Sequence, residues 1–313
     1  MIMLASEIAK ELDYELAGDD IDVTGIARIE DAGTGDIAVA EKKSDINKTE
    51  AKIILTKPVI QMTEKSLLIT YESIECAMVK VCGILIKNKL IVDYSIPVKY
   101  QLNDRGYYVG KNCMISSSAV IQPNAMIEDN VIIGDNCIIE PFAVIKSGTV
   151  IENDVHIAAG SRIGEDSFYH YYNDGCIKQF CGCGIVRIKH HTHIGCNTVI
   201  QRGTISDTII GVNCMIGNFI DIGHDVQIGD GCKIVSQSGI AGNAKLKDNV
   251  LMYGQSGIKN NVTVGRNVII KARTCVSKSV GDNQIVYGTF GRDYSNEMKY
   301  IAKIRKFFER KDE

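Results

Sequence analysis

Aliphatic residues recur six apart without a break at Val109, Ile115, Ile121, Ile127, Ile133, Ile139, Ile145, Ile151, Ile157 and Ile163. After an interruption the pattern resumes at Ile188, Ile194 and Ile200, slips by four positions, and runs on from Ile210 to Val276. A period of six does not fit the 3.6-residue turn of an α-helix. It fits a coil of three short strands, each sending one aliphatic residue into a narrow core. Eighteen residues then make one coil, and the chain is predicted to wind a left-handed parallel β-helix of about eight coils.

Residues two before the aliphatic positions are often small or β-branched, as at Cys137, Ala143, Thr149, Ser161, Cys214 and Cys232, and are expected to face inward as well. Gly often follows the aliphatic residue, and Asn often stands two further on, as at Asn112, Asn136, Asn197, Asn213 and Asn267. Both types tolerate the positive φ that a tight corner demands.

The repeat divides the chain into three parts: a small α/β domain over 1–98, the β-helix over 99–284 and a C-terminal helical segment over 285–313. The first part predicts a helix over Ala5–Leu12, strands near Ala51–Leu55 and Ser66–Thr70, and a helix over Ile74–Ile86. Two excursions leave the β-helix, at 165–187 and 204–207, where loops thrown out of a rigid scaffold favour function. In the tail Met298, Ile301, Ile304 and Phe308 form one helical stripe, expected to pack against other subunits. Lys299, Lys303, Arg305, Lys306, Arg310 and Lys311 make the tail locally basic.

A net charge of -3 over 313 residues, with no long basic block, argues against a nucleic-acid partner. The N-terminus lacks the charge and apolar pattern of a signal peptide, and no apolar run is long enough to span a bilayer, so a cytoplasmic protein is expected. In that compartment the eleven cysteines stay reduced. Cys176, Cys181 and Cys183 with His190, His191 and His193 offer zinc-ligand types, but the spacing matches no compact zinc motif. No metal is expected.

The stretches IGCNTVIQRGTISDTIIG at 194–211 and IGNFIDIGHDVQIGD at 216–230 resemble the UDP-3-O-acylglucosamine N-acyltransferase family of lipid A biosynthesis. Weaker similarity lies in LASEIAKELDYELAGDDIDVTGIARIEDAGTGDI near the N-terminus. The resemblance implies a homotrimer with active sites between prisms, an N-terminal uridine-binding domain, and an acyl carrier protein thioester as donor. It implies no cofactor beyond the acyl-phosphopantetheine of that donor. By the same resemblance His224 is the general base, a role suited to an imidazole at neutral pH. Gly242, 18 residues on, is the backbone oxyanion donor, and Asn218 helps to hold the sugar. Asp221 or Asp225 would orient His224.

Some positions depart from the family pattern. Gly217 and Gln201 replace aspartates, the second of them just before Arg202, and Asn261 stands where the family has a second histidine. In the N-terminal domain Val39, Lys42 and Asp45 cannot stack on uracil. Phe168 and Tyr169, in the first excursion, are candidate contacts to a base or sugar. Arg202 and Asn261 complete the expected substrate-binding set. The expected activity is N-acylation of UDP-3-O-acylglucosamine; the alternative is a coenzyme A dependent acyl- or acetyltransferase acting on another nucleotide amino sugar.

Overall fold

The computed structural model describes residues 2–309 apart from 41, 59–63, 174 and 289–292, with side chains at 43, 44 and 307–309 also left aside. Phe308, Arg310 and Lys311, named above in the tail, fall outside that description.

The six-residue period becomes three parallel sheets forming the faces of a β-solenoid, with eight, nine and ten strands. The ten include an antiparallel cap, Gln101–Leu102 on Tyr108–Val109. Strands are two to four residues long, and each usually pairs with the strand 18 positions further on, as Ile133 does with Ile151 and Ile222 with Ile240. The aliphatic positions fill the interior: Ile127, Ile145, Ile163, Ile200, Ile222 and Ile270 are fully buried. Removing one such side chain from water stabilises the fold by about 2 kcal/mol. The small residues two positions earlier line the same core, with Cys137, Ala143, Thr149, Ser161 and Cys232 fully buried.

The corners separate two roles that the sequence pattern merged. Asn112, Asn136, Asn197, Asn213 and Asn267 all have φ between +53° and +56°, so asparagine supplies the left-handed turn. The glycines after the aliphatic positions mostly do not. Gly110 and Gly223 are not in the left-handed region; a β-carbon on them would lie 2.2 Å from Asp129 Oδ1 and 2.7 Å from the Gly242 nitrogen. They are glycine because the next coil passes too close.

The N-terminal unit carries a five-stranded sheet ordered Glu15–Ala17, Ser66–Ile69, Ile53–Thr56, Asp36–Val39 and Gly25–Arg28, all parallel except the first pair. Helices α1 (Ala5–Leu12) and α2 (Ile74–Lys87) pack on it through Ile8, Ala77, Val81 and Leu85. At the other end the solenoid continues two residues past the boundary drawn from the repeat. Ile285–Val286 adds a last strand beside Ile269–Ile270. Helix α3 (Tyr294–Glu309) follows, with Met298, Tyr300 and Ile304 exposed in the protomer.

The first excursion is an antiparallel hairpin, Tyr169–Asn173 against Cys176–Phe180. Tyr169 and Phe180, with Ile205 of the second excursion, pack against the N-terminal core. Arg28 ties the two parts further: its guanidinium donates to the Asp225 carbonyl (3.2 Å), and its backbone N–H donates to Ser206 Oγ (3.3 Å). The N-terminal domain therefore rests on the loops that surround His224. No helix among the described residues is long and apolar enough to cross a membrane.

Candidate active site

His224 stands at the corner between Asp221–Ile222 and Gln227–Ile228. The next residue, Asp225, occupies the left-handed turn position (φ 57°) that Asn243 and Asn261 fill in the following two coils. This conformation carries the Asp225 carboxylate into the protein, where it is fully buried. The second excursion satisfies it. Thr204 donates its backbone N–H (3.0 Å) and hydroxyl (2.6 Å) to Oδ2, and the Ser206 N–H donates to Oδ1 (3.2 Å). The Asp225 N–H in turn donates to Thr208 Oγ1.

The remaining contact of that carboxylate is His224, whose Nδ1 lies 2.8 Å from Oδ2. A carboxylate only accepts, so Nδ1 carries the hydrogen and the neutral ring keeps its lone pair on Nε2. Burial alone would push the Asp225 carboxyl up. The hydrogen bonds from His224 and Thr204, with the positive charge His224 can carry, outweigh burial and hold it below the usual carboxylate range. Asp225 stays ionised beneath the imidazole. Asp221, the other candidate for orienting the ring, is not bonded to it. Loss of water around it pushes the Asp221 carboxyl up, against a lowering hydrogen bond from Gln201.

Gly242 lies under the ring. A β-carbon there would sit 2.4 Å from His224 Nε2 and 2.6 Å from Cε1, so no other residue leaves the imidazole in place. Its φ is not left-handed, which removes the turn as the reason for glycine. The coil-to-coil ladder shows a second effect. At several other corners the amide at this phase donates to the side chain 18 residues on, as Lys111 does to Asp129, Asp135 to Asn153, Val212 to Asp230 and Asp230 to Asp248, whereas the amides of Asp129, Asn153, Ser236 and Asp248 make no such bond among the described residues. The Gly242 N–H has no such acceptor among the described residues.

His224 and Gly242, with Asp221, Gln201, Phe168 and Ala241, line a cleft of about 290 Å³. Phe168 is exposed at its mouth, its N–H donating to Gln201 Oε1 (3.0 Å). Tyr169 sets its ring edge-on against the imidazole, centroids 5.8 Å apart, and so positions His224. Beyond the ring, Gly239 and Gly257 follow along the same face in successive coils, and a β-carbon on either would meet only open space.

Three expected substrate contacts are placed elsewhere. Arg202 is fully buried, donating from Nε to the Gly164 carbonyl and from Nη2 to the Ser147 carbonyl, both at 3.2 Å, with its guanidinium 4.4 Å from the Tyr94 ring centroid. It is a structural clamp and no substrate reaches it. Asn218 sits on a different corner, its Oδ1 taken by the Cys196 N–H (2.8 Å) in the coil ladder. Asn261 is a left-handed turn residue on the His224 corner, one coil past Gly242, and does not line the cleft.

The cysteines and histidines named as possible ligands also disperse. His190 pairs with Glu152 (3.0 Å), and His193 stacks edge-on against His156. Among the described residues no group of three or more potential ligands converges. Thr204, Ser206, Thr208 and Arg28, which build the Asp225 pocket, had no sequence signal beyond the second excursion. The slip of four residues before Ile210 was its only trace.

The family model described as bacterial transferase hexapeptide (six repeats) matches residues 130–165 and 207–242. The UDP-3-O-acylglucosamine N-acyltransferase of Rickettsia conorii (strain ATCC VR-613 / Malish 7) is 44% identical over 78 residues, 25% of this chain and 22% of that protein. The chain thus spans less than a quarter of the length of the curated relatives it matches. Among solved structures, a UDP-N-acetylglucosamine acyltransferase from Campylobacter jejuni superposes with a TM-score of 0.54 at 21% identity, covering 60% of this chain and 72% of that one. An Arabidopsis UDP-N-acetylglucosamine acyltransferase gives 0.50 at 22% identity, covering 59% and 68%. These two share the fold.

Proposed function

We propose that this protein is an N-acyltransferase that moves an acyl group from a phosphopantetheine thioester to the amine of a nucleotide-linked amino sugar, with no metal. The observation that carries the reading is the stack of His224 on Gly242: a carboxylate-anchored imidazole packed on a glycine whose N–H has no acceptor among the described residues.

In this mechanism the sugar nitrogen attacks the thioester carbon while His224 Nε2 takes the proton released as the C–N bond forms. The carbonyl oxygen becomes an oxyanion, and the Gly242 N–H donates to it; one such donor contributes about 3 kcal/mol to catalysis. Collapse expels the thiolate, which recovers the proton from the imidazolium. The buried Asp225 carboxylate stabilises that imidazolium throughout and fixes its tautomer. The protein acts as a homotrimer, and partner prisms close the cleft.

Two acceptors are weighed. UDP-3-O-acylglucosamine is the acceptor named for the relatives at 44% identity; with an acyl carrier protein donor, the activity would belong to lipid A biosynthesis. A different nucleotide amino sugar, with coenzyme A as donor, is favoured by the N-terminal domain. There Val39 is half-buried against the domain core and Lys42 is exposed, so neither presents an aromatic face to uracil.

The deciding experiment is thiol release by wild type and His224→Ala with carrier-bound and coenzyme A donors against a panel of nucleotide amino sugars. Turnover that falls by at least about a thousandfold in the variant, with the assembly intact, supports the reading. Unchanged turnover removes it.

A further inference from the structure

A second and larger cleft, of about 530 Å³, lies between the start of α2 and the hairpin, and nothing in the acyl-transfer chemistry uses it. Glu72, Ser73 and Glu75 form one wall; His170, Tyr171 and Tyr172 form the other. The hairpin wall carries groups suited to a flat heteroaromatic ring. The tyrosines and histidine offer stacking faces, and any planar base presents a matching one.

The cleft is joined to the His224 site by a single strand. Tyr169 touches the imidazole, and the next four residues of the same strand run out to line the second cleft. At ~3.3 Å per residue the strand spans about 13 Å, the order of reach that a ribose and pyrophosphate provide between a sugar and a base. Lys178 stands directly across the hairpin from Tyr171 and shares its face, so a cation lies midway along this track. The proposed acceptor, lying along the strand, would place its amine at Nε2, its phosphates by Lys178 and its base in the second cleft.

The polar groups of the cleft decide which base. Glu72 is already engaged, accepting from the Tyr14 hydroxyl and pairing with Lys80 (2.7 Å). Glu75 has no hydrogen-bond or ion-pair partner among the described residues and lines both this cleft and a neighbouring one beside Lys57. An ionised carboxylate only accepts, so it selects a base edge with adjacent N–H donors and opposes one that presents carbonyl oxygens. Guanine offers N1–H and N2–H side by side, a bidentate match for a carboxylate. Its O6 can accept from the Glu75 amide, which has no acceptor among the described residues at the start of α2. Uracil has a single N3–H between two carbonyl oxygens and meets Glu75 poorly.

We infer that this cleft seats the nucleotide base of the acceptor and that it is built for guanine, so the substrate class is a GDP-linked amino sugar. The inference rests on the acyl-transfer reading for the orientation of the ligand, but its test does not need catalysis.

The test is calorimetric titration of the full-length protein with GDP and with UDP, for wild type, Glu75→Gln and Lys178→Ala, with thermal melts to confirm folding. Wild type is expected to bind GDP at least about tenfold more tightly than UDP. Glu75→Gln should erase most of that preference while leaving UDP affinity in place. Lys178→Ala should weaken both nucleotides together. Tighter binding of UDP, binding of neither nucleotide, or an unaltered preference in Glu75→Gln overturns the inference.

Failure of the acyl-transfer reading looks different. GDP would still bind with the predicted preference, while thiol release would be absent or indifferent to His224→Ala. Conversely, turnover of a UDP-linked sugar that is lost in His224→Ala and untouched by Glu75→Gln keeps the activity and discards the guanine site.

Discussion

The corner at His224 and the corner at Val212 belong to the same repeat and do opposite things with the same amide. At Val212 the N–H donates to Asp230 one coil on, and the Asp230 N–H donates to Asp248, so both amides are spent on the ladder. At His224 the residue one coil on is Gly242, which offers no side-chain oxygen, leaves room for an imidazole, and whose own N–H has no acceptor among the described residues. The scaffold is unchanged; a missing side chain creates the site. On the proposed reading, catalytic capacity arises by subtraction from a structural motif.

The strongest way to break that contrast is to give Gly242 a side chain. Gly242→Ala places a methyl group 2.4 Å from where Nε2 now lies, so the ring must leave. Thiol release should fall by about a hundredfold or more while the melting temperature shifts little. A variant that keeps its activity would mean the ring and the amide do not act together.

Arg202→Ala tests the clamp from the other side. It should lower stability by about 3 kcal/mol, measured by denaturant unfolding, because two buried carbonyls lose a charged donor. The acceptor KM of the surviving fold should not move. A raised KM at unchanged stability would restore Arg202 as a substrate contact.

Asp225→Asn is expected to cost about 2 kcal/mol and to lower kcat, since the amide cannot accept from His224 and Thr204 as the carboxylate does. Its pH profile carries the sharper sign. The Asp225 carboxyl is held below its unfolded value, so it contributes stability above about pH 4 that is lost as the pH falls through the depressed folded value. Melts of wild type should show that acid-limb loss, and Asp225→Asn should lack it.

The ordinary corner gives the smallest effect. Asp230→Ala removes one ladder acceptor and should cost about 1 kcal/mol with catalysis unaltered. His193 supplies a companion titration on another face. Burial lowers its pKa, the neighbouring His156 lowers it further, and Glu140 partly opposes them. The unfolded chain therefore binds the proton more readily, and stability falls as the pH drops below about 6.5. His193→Gln should flatten the melting temperature between pH 7 and 5.

How much of this was legible in the sequence follows from where the constraints lie. The solenoid was readable because every coil repeats one demand, an aliphatic residue at a fixed phase, and the small residues at Cys137, Thr149 and Ser161 obey the same rule. The pairing of His224 with Gly242 was readable because 18 residues is one coil. The rest depended on contacts without periodicity. Nothing local shows that Arg202 turns inward onto Tyr94, 108 positions earlier, or that Asp225 is enclosed by a loop whose length only registers as a slip. The glycines after the aliphatic positions misled for a related reason: their cause is the approach of the next coil, which φ preferences do not encode.

The hairpin also has a kinetic side. In most of the solenoid a strand pairs 18 residues away, whereas Ile151 meets Ile188 across 37 positions because the hairpin intervenes. Loop-closure entropy grows only with the logarithm of length, so doubling the loop adds about 0.6 kcal/mol to that one closure. Folding that propagates coil by coil meets a single modest step there and then continues at the old rhythm. An architecture assembled from neighbour-to-neighbour zipping can therefore accept a functional insertion almost anywhere along its axis at nearly the same entropic toll, and the hairpin that runs from the imidazole to the second cleft occupies such a place.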